Sequence, residues 1–326
     1  MENEEIVVSV CMLAYNHGKY IRQALDSVFM QQTNFKFEVI VGEDCSPAPD
    51  NSREILLEYK EKYGDQLVLI LHEKNVGVSA NGNSISRKCR GKYKAFLECD
   101  DYWLDPLKLQ KQVDFLDTHP DFSACGGDCE AVDDDGNVIK SSVLGLKKDS
   151  VVTMKDFRKK GMSVVHGNSL MVRRSIFPDT NPDYMKLRSA APTMGDTITF
   201  SLLFINGPIY LFPSLFLAHR DGGKVASSFS ASNSNRYIEY TYMRMDIEKA
   251  LTEYFHGEYD FSFLNVNRIA DAVFLYVTHN QQIHIEKEQL KKLLKDRKDL
   301  RFKVACAFTE SMFHRIGKKA SRILQH

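Results

Sequence analysis

The sequence predicts an α/β fold, a mostly parallel sheet flanked by helices and followed by a helical C-terminal extension. Over the first hundred residues, short apolar runs rich in β-branched residues alternate with segments whose apolar residues recur every three or four positions. Each apolar run also ends in polar residues, and parallel sheets bind ligands beyond the carboxyl ends of their strands. After Asn235, helical periodicity continues without intervening strands.

The first half of the chain is expected to fold as repeated strand and helix pairs. Ile21, Ala24, Leu25 and Val28 show the helical spacing that follows the first apolar run. The predicted strands cover 6–13, 37–41, 67–71 and 93–97, and the predicted helices cover 21–28, 51–63 and 79–89.

The second half is less regular. Asp105 and Pro106 are typical of a helix N-cap and first helical residue, and this helix is expected to end at His119. The segment VDDDGNV, residues 132–138, predicts a hairpin turn. Beyond a linker-like stretch at 230–235, helices are predicted over 236–255, 263–278 and 286–295. We therefore predict one domain over 1–230, with halves 1–106 and 107–230, and a helical region over 236–326.

Composition excludes several classes of protein. The formal net charge is zero and the sequence pI is about 7.1, which argues against a nucleic acid partner. The seven cysteines form no C-x-x-C pair, which favours a reducing cytoplasm over a disulfide framework or zinc site. No signal peptide or membrane span is recognisable, and neither G-x-G-x-x-G nor a P-loop motif is present.

Three carboxylates follow the fourth predicted strand in the segment KYKAFLECDDYWLDP. Glu98, Asp100 and Asp101 would repel one another unless water or a cation neutralised them, and oxygen ligands suit Mg²⁺ or Mn²⁺. A metal that carries a substrate's phosphates is one interpretation. Solvation of the following turn by the aspartates is the alternative, and the cluster alone favours it.

Four segments occur in order at the spacing of one strand and helix repeat: VSVCMLAYNHGKYIRQALDSVFMQQ, FEVIVGEDCSPAPDNS, HEKNVGVSANGN and YKAFLECDDYW. This set resembles the family 2 glycosyltransferases, which have the glycosyltransferase A fold. The resemblance is specific over residues 7–106 and looser to about residue 228. It implies an inverting transfer of a sugar from a nucleoside diphosphate, with the nucleotide sugar bound by 1–106 and the acceptor by 107–230.

The resemblance assigns roles around the acidic cluster. The family's D-x-D motif reads Glu98-Cys99-Asp100 here. By resemblance Asp100 would coordinate the divalent metal, Mn²⁺ or Mg²⁺, that bridges the donor diphosphate. Glu98 would lie near the donor's ribose.

By the same resemblance, Ala14, Tyr15 and Asn16 would form the nucleotide-base site, and Asp44 would accept from an imide N–H such as that of uracil. Without the family pattern, Tyr15 would be an interface aromatic and Asp44 a turn residue.

The segment NVGVSANGN resembles the family's N-x-G-x-x-x-A-x-N element, in which Asn75 and Gly77 would let a helix N-terminus approach the donor. Many relatives carry a basic residue where this chain has Gly82, and the nearest basic candidate is Arg87.

The acceptor side is assigned from APTMGDTITFSLLFING. Gly195-Asp196 resembles the family's G-E-D element, whose middle acid is Gly195 here. By resemblance Asp196 would be the general base that takes the acceptor's proton. The alternative is a helix N-cap.

The segment LAHRDGGKVASS resembles a basic loop that closes over the diphosphate. His219, Arg220 and Lys224 would supply positive charge to the departing nucleotide, and an ordinary surface loop is the alternative. His17 and His166 are interpreted as loop or structural histidines, and Cys125 and Cys129 as inert.

The sequence thus predicts a metal-dependent glycosyltransferase with a nucleoside diphosphate sugar donor and a saccharide or lipid-linked saccharide acceptor, in bacterial surface polysaccharide or glycan synthesis. The rival is a degenerate nucleotide-sugar-binding or assembly subunit, which binds without turnover. The basic tail 313–326 has apolar residues along one side and is interpreted as a peripheral contact with the inner face of the cell membrane, a dimer contact or a helix packed on its own domain.

Overall fold

The computed structural model describes residues 5–160, 164–190, 192–221, 237–278 and 285–309. The chain divides into two compact units, Met1–Asp221 and Gly222–His326. The predicted linker at 230–235 and the basic tail at 313–326 lie outside the described residues. It stays a prediction that residues 1–106 bind the nucleotide sugar and residues 107–230 bind the acceptor.

The first half of the sheet is parallel, as predicted, in the spatial order β3-β2-β1-β4. Its strands are β1 Ile6–Ala14, β2 Lys36–Glu43, β3 Leu67–Leu71 and β4 Tyr93–Glu98. The helices between them are α1 Ile21–Phe29, α2 Ser52–Tyr63 and α3 Val78–Ser86. The third predicted helix ends three residues early, and the other bounds differ from prediction by one or two residues.

Apolar packing fixes this half of the sheet. The four periodic residues of α1, Ile21, Ala24, Leu25 and Val28, are fully buried against the strands. On the other face, α3 approaches β2 closely, because Asn81 donates from Nδ2 to the carbonyl of Gly42 at 2.8 Å. A Cβ atom at Gly42 would lie 2.0 Å from Asn81 Oδ1, so this approach requires glycine.

The sheet continues from β4 through β9, β6 and β10 to β5. The added strands are β5 Tyr102–Trp103, β6 Ala124–Val132, β7 Val138–Lys140, β8 Ser150–Val152, β9 Met171–Arg173 and β10 Ile209–Arg220. The helices are α4 Lys108–Thr118, α5 Met154–Lys160, α6 Pro182–Ser189 and α7 Gly195–Asn206. β6 and β10 pair in parallel, whereas β5, β7, β8 and β9 pair antiparallel with their neighbours.

Two features of this half differ from the sequence-based expectation, and one confirms it. The predicted start of α4 at Asp105-Pro106 is wrong, because Asp105 Oδ1 accepts from the N–H of Leu107 at 2.8 Å and forms a turn before the helix. β10 was not predicted, and its register shifts between Phe212 and Leu217 accommodate Pro213. The predicted hairpin at 132–138 joins β6 to β7.

The topology gathers several chain segments at one edge. The carboxyl ends of β1, β2 and β4 lie side by side, since Ala14 is in register with Glu43 and Leu13 with Glu98. β10 ends beside β5, with Ala218 opposite Tyr102. Residues 219–220 therefore lie next to the acidic cluster that precedes β5.

The second unit is helical, as predicted. Its helices are α8 Tyr237–Tyr254, α9 Phe263–Val277 and α10 Lys287–Asp296, and residues 301–309 are also helical. An apolar cluster that includes Ile269, Leu293 and Val304 packs them together. Arg297 makes a bidentate ion pair with Glu248, with N···O distances of 2.7 and 2.9 Å. Within the described part of the chain, no helix has the length and apolar character that a membrane crossing requires.

Candidate active site

Asp100 leaves a buried oxygen unused. The acidic cluster forms a turn directly after β4, in which the N–H of Asp101 donates to the carbonyl of Glu98 at 3.1 Å. Asp100 Oδ1 is buried and has no hydrogen-bond partner among the described residues. Burial, with the charge of Asp101, raises the pKa of Asp100. A buried carboxylate oxygen without a donor is costly unless a ligand completes it.

Asp101, in contrast, is fully engaged by the protein. Its oxygens accept from Asn168 Nδ2 at 2.7 Å and from the backbone N–H of Arg220 at 2.9 Å, and His219 Nδ1 lies 3.1 and 3.2 Å from them. Burial acts to raise the pKa of Asp101, but the hydrogen bond and charge of His219 outweigh it and lower that pKa. Asp101 is therefore an ionised carboxylate that holds groups from distant parts of the chain.

His219 is oriented by this contact. With Nδ1–H donating to Asp101, the neutral ring presents the lone pair of Nε2. Partial burial acts to lower the pKa of His219, but the carboxylates of Asp101, Asp100 and Glu98 raise it. A carboxylate that orients an imidazole in this way is a common second shell of protein metal sites.

His166 lies beside His219, with ring centroids 4.3 Å apart. Its Nδ1 accepts from the N–H of Asn168 at 3.3 Å, and burial lowers its pKa to about 4, so the ring is neutral at neutral pH. Candidate ligand atoms of Asp101, His166 and His219 all lie within 4.8 Å of one another. Sequence reasoning did not foresee this cluster, because His166 is 65 or more residues from Asp100 and Asp101 along the chain.

A divalent metal fits part of this arrangement. Asp101 already accepts several hydrogen bonds, and the Nδ1 acceptor role of His166 places the proton on Nε2. Asp100 Oδ1 has no partner among the described residues, and no hydrogen bond joins His219 Nε2 to any of them. The charges of Asp100 and His219 act on each other, and one carboxylate with one imidazole suits a divalent ion that also takes substrate oxygens.

Three neighbouring carboxylates act on Glu98. Its side chain is exposed to solvent, yet enough protein surrounds the carboxylate to reduce its hydration. This desolvation, with the charges of Asp100, Asp101 and Asp196, raises the pKa of Glu98 to about 8. The interaction places Asp196 within electrostatic reach of the cluster although it lies about a hundred residues later.

Asp196 is the second residue of α7 and is exposed to solvent. The N-cap of α7 is Met194, and no side chain caps it within the described structure, so the predicted capping alternative is not observed. Loss of hydration raises the pKa of Asp196, and the positive charge of Arg188 partly opposes this. The carboxylate is thus accessible and more basic than an ordinary aspartate.

The residues predicted to bind the nucleotide base lie at the ends of β1 and β2. Tyr15 is 46% exposed, which leaves its ring free to stack. Asn16 has a φ of 60°, and its N–H donates to Ser46 Oγ at 2.8 Å. Asp44 is buried, and its two oxygens accept from the N–H groups of Val76 and Gly77 at 2.7 and 2.9 Å.

The sequence did not predict that Asp44 would accept hydrogen bonds from the backbone. Its carboxylate fixes the loop before α3, and each oxygen retains a second lone pair for another donor. In that loop Asn75 is exposed, and Gly77 has a φ of 85°, which favours glycine. The loop is thus positioned, as predicted, at the N-terminus of α3.

His17 also faces this region. Its Nδ1 is buried without a partner in the described structure, and its charge lowers the pKa of Asp100 against the larger effect of burial. The interpretation of His17 as a loop histidine therefore underestimates its proximity to the cluster.

The guanidinium of Arg220 bonds to the protein through its terminal nitrogens, whereas its Nε is buried without a partner among the described residues. The predicted contact with a departing nucleotide stays a prediction. The guanidinium donates to the carbonyl oxygens of Asp133 and Asp134 at 3.0 and 3.1 Å and lies 4.5 Å from the ring centroid of Tyr20. These bonds favour an anchoring role, with the backbone N–H of Arg220 serving Asp101. Lys224 lies outside the described residues.

Trp103 connects the cluster to the core. Its Nε1–H donates to the carbonyl of Asn168 at 3.0 Å, and Asn168 donates in turn to Asp101. Lys108 Nζ lies 4.0 Å from the ring centroid of Trp103, and burial lowers the pKa of Lys108 to about 7. The cysteines near this core are thiols, since burial raises the pKa of Cys129 to about 12.

Comparisons with known proteins identify the family of the chain. The family model described as glycosyl transferase family 2 matches residues 9–180. An uncharacterized protein of Mycobacterium tuberculosis is 41% identical over 129 residues, which are 40% of this chain and 37% of that protein. A putative teichuronic acid biosynthesis glycosyltransferase, TuaG of Bacillus subtilis, is 35% identical over 36% of this chain and 44% of its own length. Both matches span less than half of the relative's length.

The fold is also found among solved structures. A structure of S. aureus TarS residues 1–349 in complex with UDP matches with a TM-score of 0.60 and 17% identity, covering 89% of this chain and 78% of that one. This similarity confirms the predicted fold class.

Proposed function

Because the chain belongs to glycosyl transferase family 2, we propose that it moves a sugar from a nucleoside diphosphate donor to a hydroxyl group of an acceptor, with inversion at the anomeric carbon. The observation that carries the proposal is the convergence of Glu98, Asp100, Asp196 and His219 at one edge of the sheet. These residues come from three separate parts of the chain, and each acts electrostatically on at least one of the others.

The donor is proposed to lie along the carboxyl ends of β1, β2 and β4. The exposed ring of Tyr15 would stack on the base. The free lone pairs of Asp44 would accept its imide N–H, which favours uracil. The complex of TarS with UDP supports testing uridine nucleotides first. Glu98 would lie on the ribose side, where its raised pKa lets it donate a hydrogen bond.

Asp100 and His219 would hold a divalent metal, Mn²⁺ or Mg²⁺. When bound, the metal would neutralise charge on the diphosphate as it leaves. Asp101 would keep His219 in the tautomer that presents Nε2, and the carboxylate charge of Asp101 would raise the basicity of that ring.

Asp196 would activate the acceptor. In the proposed step, the acceptor oxygen forms a bond to the anomeric carbon while the bond from that carbon to the phosphate oxygen breaks. The hydroxyl proton passes to the carboxylate of Asp196, and the nucleoside diphosphate leaves with the electron pair. The raised pKa of Asp196 suits a general base better than an ordinary aspartate would.

The acceptor is proposed to be a saccharide or lipid-linked saccharide of a cell-surface polysaccharide. The support is the name of TuaG, which refers to teichuronic acid biosynthesis.

Thermal unfolding with nucleotides tests the donor site. We expect UDP with Mn²⁺ to stabilise the protein, by about 2.7 kcal/mol at a hundred times its dissociation constant. Asp100→Asn should lose the metal-dependent part, whereas Asp114→Asn, which changes an exposed aspartate of α4, should keep it. No stabilisation by UDP, GDP, TDP or CDP, with or without metal, would contradict the proposal. Binding without transfer to any acceptor would favour the degenerate binding subunit.

A further inference from the structure

Arg188, on α6, lies at the side of the site formed by α3 and α7. Its Nε lies 3.4 Å from Asn83 Oδ1, and one terminal nitrogen lies 3.4 Å from Thr199 Oγ1. Both hydrogen bonds are long for N–H···O contacts, so they orient the guanidinium without using its capacity fully. The side chain is half-buried, which leaves part of it open to a ligand.

Among the described residues, no ion pair neutralises the charge of Arg188. No carboxylate among the described residues lies within 4.0 Å of its nitrogens. Arg53 and Arg90, on the same unit, pair with Glu43 and Glu38 at 2.6 Å. Arg188 does act on Asp196, whose pKa its charge lowers, so its guanidinium is within electrostatic reach of the proposed base.

Gly195 leaves the space beside Arg188 open. A Cβ atom at Gly195 would lie 3.5 to 3.7 Å from the guanidinium atoms, at ordinary contact distance. An acidic side chain at that position would therefore reach the guanidinium, and glycine provides none.

The carboxylates near the site make it significant that Arg188 has no ion pair among the described residues. The carboxylates of Asp100 and Asp101 at the neighbouring edge of the sheet, and that of Asp196 on α7, repel an anionic substrate. One terminal nitrogen of Arg220 is bonded to two backbone carbonyls. A planar guanidinium with free N–H groups binds carboxylate and phosphate oxygens in a bidentate manner.

We propose that Arg188 binds an oxyanion of the sugar nucleotide, and that Gly195 keeps its guanidinium open for that purpose. The oxyanion is either a phosphate of the nucleoside diphosphate or the carboxylate of a uronic acid sugar. The proposal rests on the proposed function, because it assumes that a sugar nucleotide occupies this edge of the sheet.

Calorimetric titration with UDP, UDP-N-acetylglucosamine and UDP-glucuronate tests it. Arg188→Gln should weaken binding by about 10- to 100-fold, the usual effect of losing hydrogen bonds to a charged group. Lys186→Gln removes one positive charge from an exposed position of the same helix and should leave the affinities unchanged. An equal loss for all three ligands identifies a phosphate, and a loss confined to UDP-glucuronate identifies the sugar carboxylate.

The two proposals fail in different ways. If the wild-type protein binds the ligands and Arg188→Gln binds them equally well, the role of Arg188 is wrong and the proposed function stands. If the wild type binds neither these ligands nor the corresponding GDP, TDP and CDP compounds, both proposals are wrong.

Gly195 offers a second test that keeps Arg188 in place. Gly195→Glu should reproduce the loss of affinity, because the new carboxylate would pair with the guanidinium. Gly195→Gln has the same size without the charge and should lose much less affinity than Gly195→Glu. Equal affinities of the two variants, with unchanged melting temperatures, would overturn the proposal.

Discussion

The two halves of the sheet treat their polar groups differently. At the end of β2 the protein satisfies the buried carboxylates: Asp44 accepts from Val76 and Gly77, and Glu43 accepts from Ser46 and Arg53. Residues that arrive from β10 and α7 leave atoms open, such as Nε2 of His219 and the carboxylate of Asp196. Asp100, at the junction, has an unpaired oxygen.

This difference separates two groups of side chains. Those whose hydrogen bonds are satisfied by the protein form what we call the frame, and those with atoms open to ligands form what we call the reactive side. Side chains whose hydrogen bonds are filled by backbone hold loops in place, so their loss should lower stability. Side chains with open atoms gain little for the fold and remain available to ligands, so their loss should lower binding or turnover. Variants from each side can break or sharpen this distinction.

Asp196→Asn should have the largest effect. We expect transfer to fall by about 10²- to 10⁴-fold with donor affinity retained, since the amide cannot accept the acceptor's proton. In the wild type, kcat/KM should rise with pH through the raised pKa of Asp196, because the base must be ionised. The variant should lose this acid limb. Full activity of Asp196→Asn with the donor still bound would assign the base elsewhere.

Asp101→Asn tests the positioning of His219. An amide at this place can donate to His219 Nδ1 and favour the wrong tautomer, so metal affinity should fall by about 10- to 100-fold. Titration with Mn²⁺ measures this directly, and the dependence of affinity on pH should change as His219 loses its carboxylate. An unaltered Mn²⁺ affinity and pH profile would show that Asp101 is only structural.

Asp44→Ala tests the frame. Removing the acceptor of two backbone N–H groups should lower the free energy of unfolding by about 1 to 3 kcal/mol, measured by urea denaturation. Asp114→Ala, on an exposed helix face, should cost much less. Equal stability of the two variants would show that the loop before α3 does not depend on Asp44.

Buried Lys108 should make the free energy of unfolding depend on pH. Its pKa falls to about 7 in the folded protein and is about 10.4 when unfolded. Between these values the unfolded chain binds the extra proton, so stability should rise with pH, by about 1 kcal/mol from pH 7.5 to 8.5. Lys108→Met should remove this increment in urea denaturation at the two pH values. An identical pH slope in the variant would show that Lys108 stays protonated when buried.

The sequence predicted the frame better than the reactive side. Strand ends in a parallel repeat must meet at one edge, so Asp44, Glu98 and Asp100 could be placed together from local patterns. The start of α4 failed because Asp105 caps a turn that local rules do not distinguish from a helix. Pro213 disguised β10, whose register shifts depend on its partner β6.

The contacts that complete the site could not be predicted from local sequence patterns. Asn168 and His219 reach Asp101 across 67 and 118 residues, and Arg188 reaches Asn83 across 105. Sequence spacing carries no signal of such distances, and only the resemblance to a family singled out His219 and Asp196. Arg188 had no such signal, because its importance follows from the missing side chain at Gly195.

The position of Trp103 has an optical consequence. It is the only tryptophan of the chain, and two successive hydrogen bonds through Asn168 join its ring to Asp101. Its emission therefore comes from one known point beside the site, and a ligand that shifts Asp101 should alter its intensity without any attached label. Lys108 Nζ lies 4.0 Å from the ring centroid of Trp103, and the pKa of Lys108 is about 7. The fluorescence of Trp103 should therefore also report the titration of Lys108. Binding experiments by fluorescence should hold pH constant for this reason.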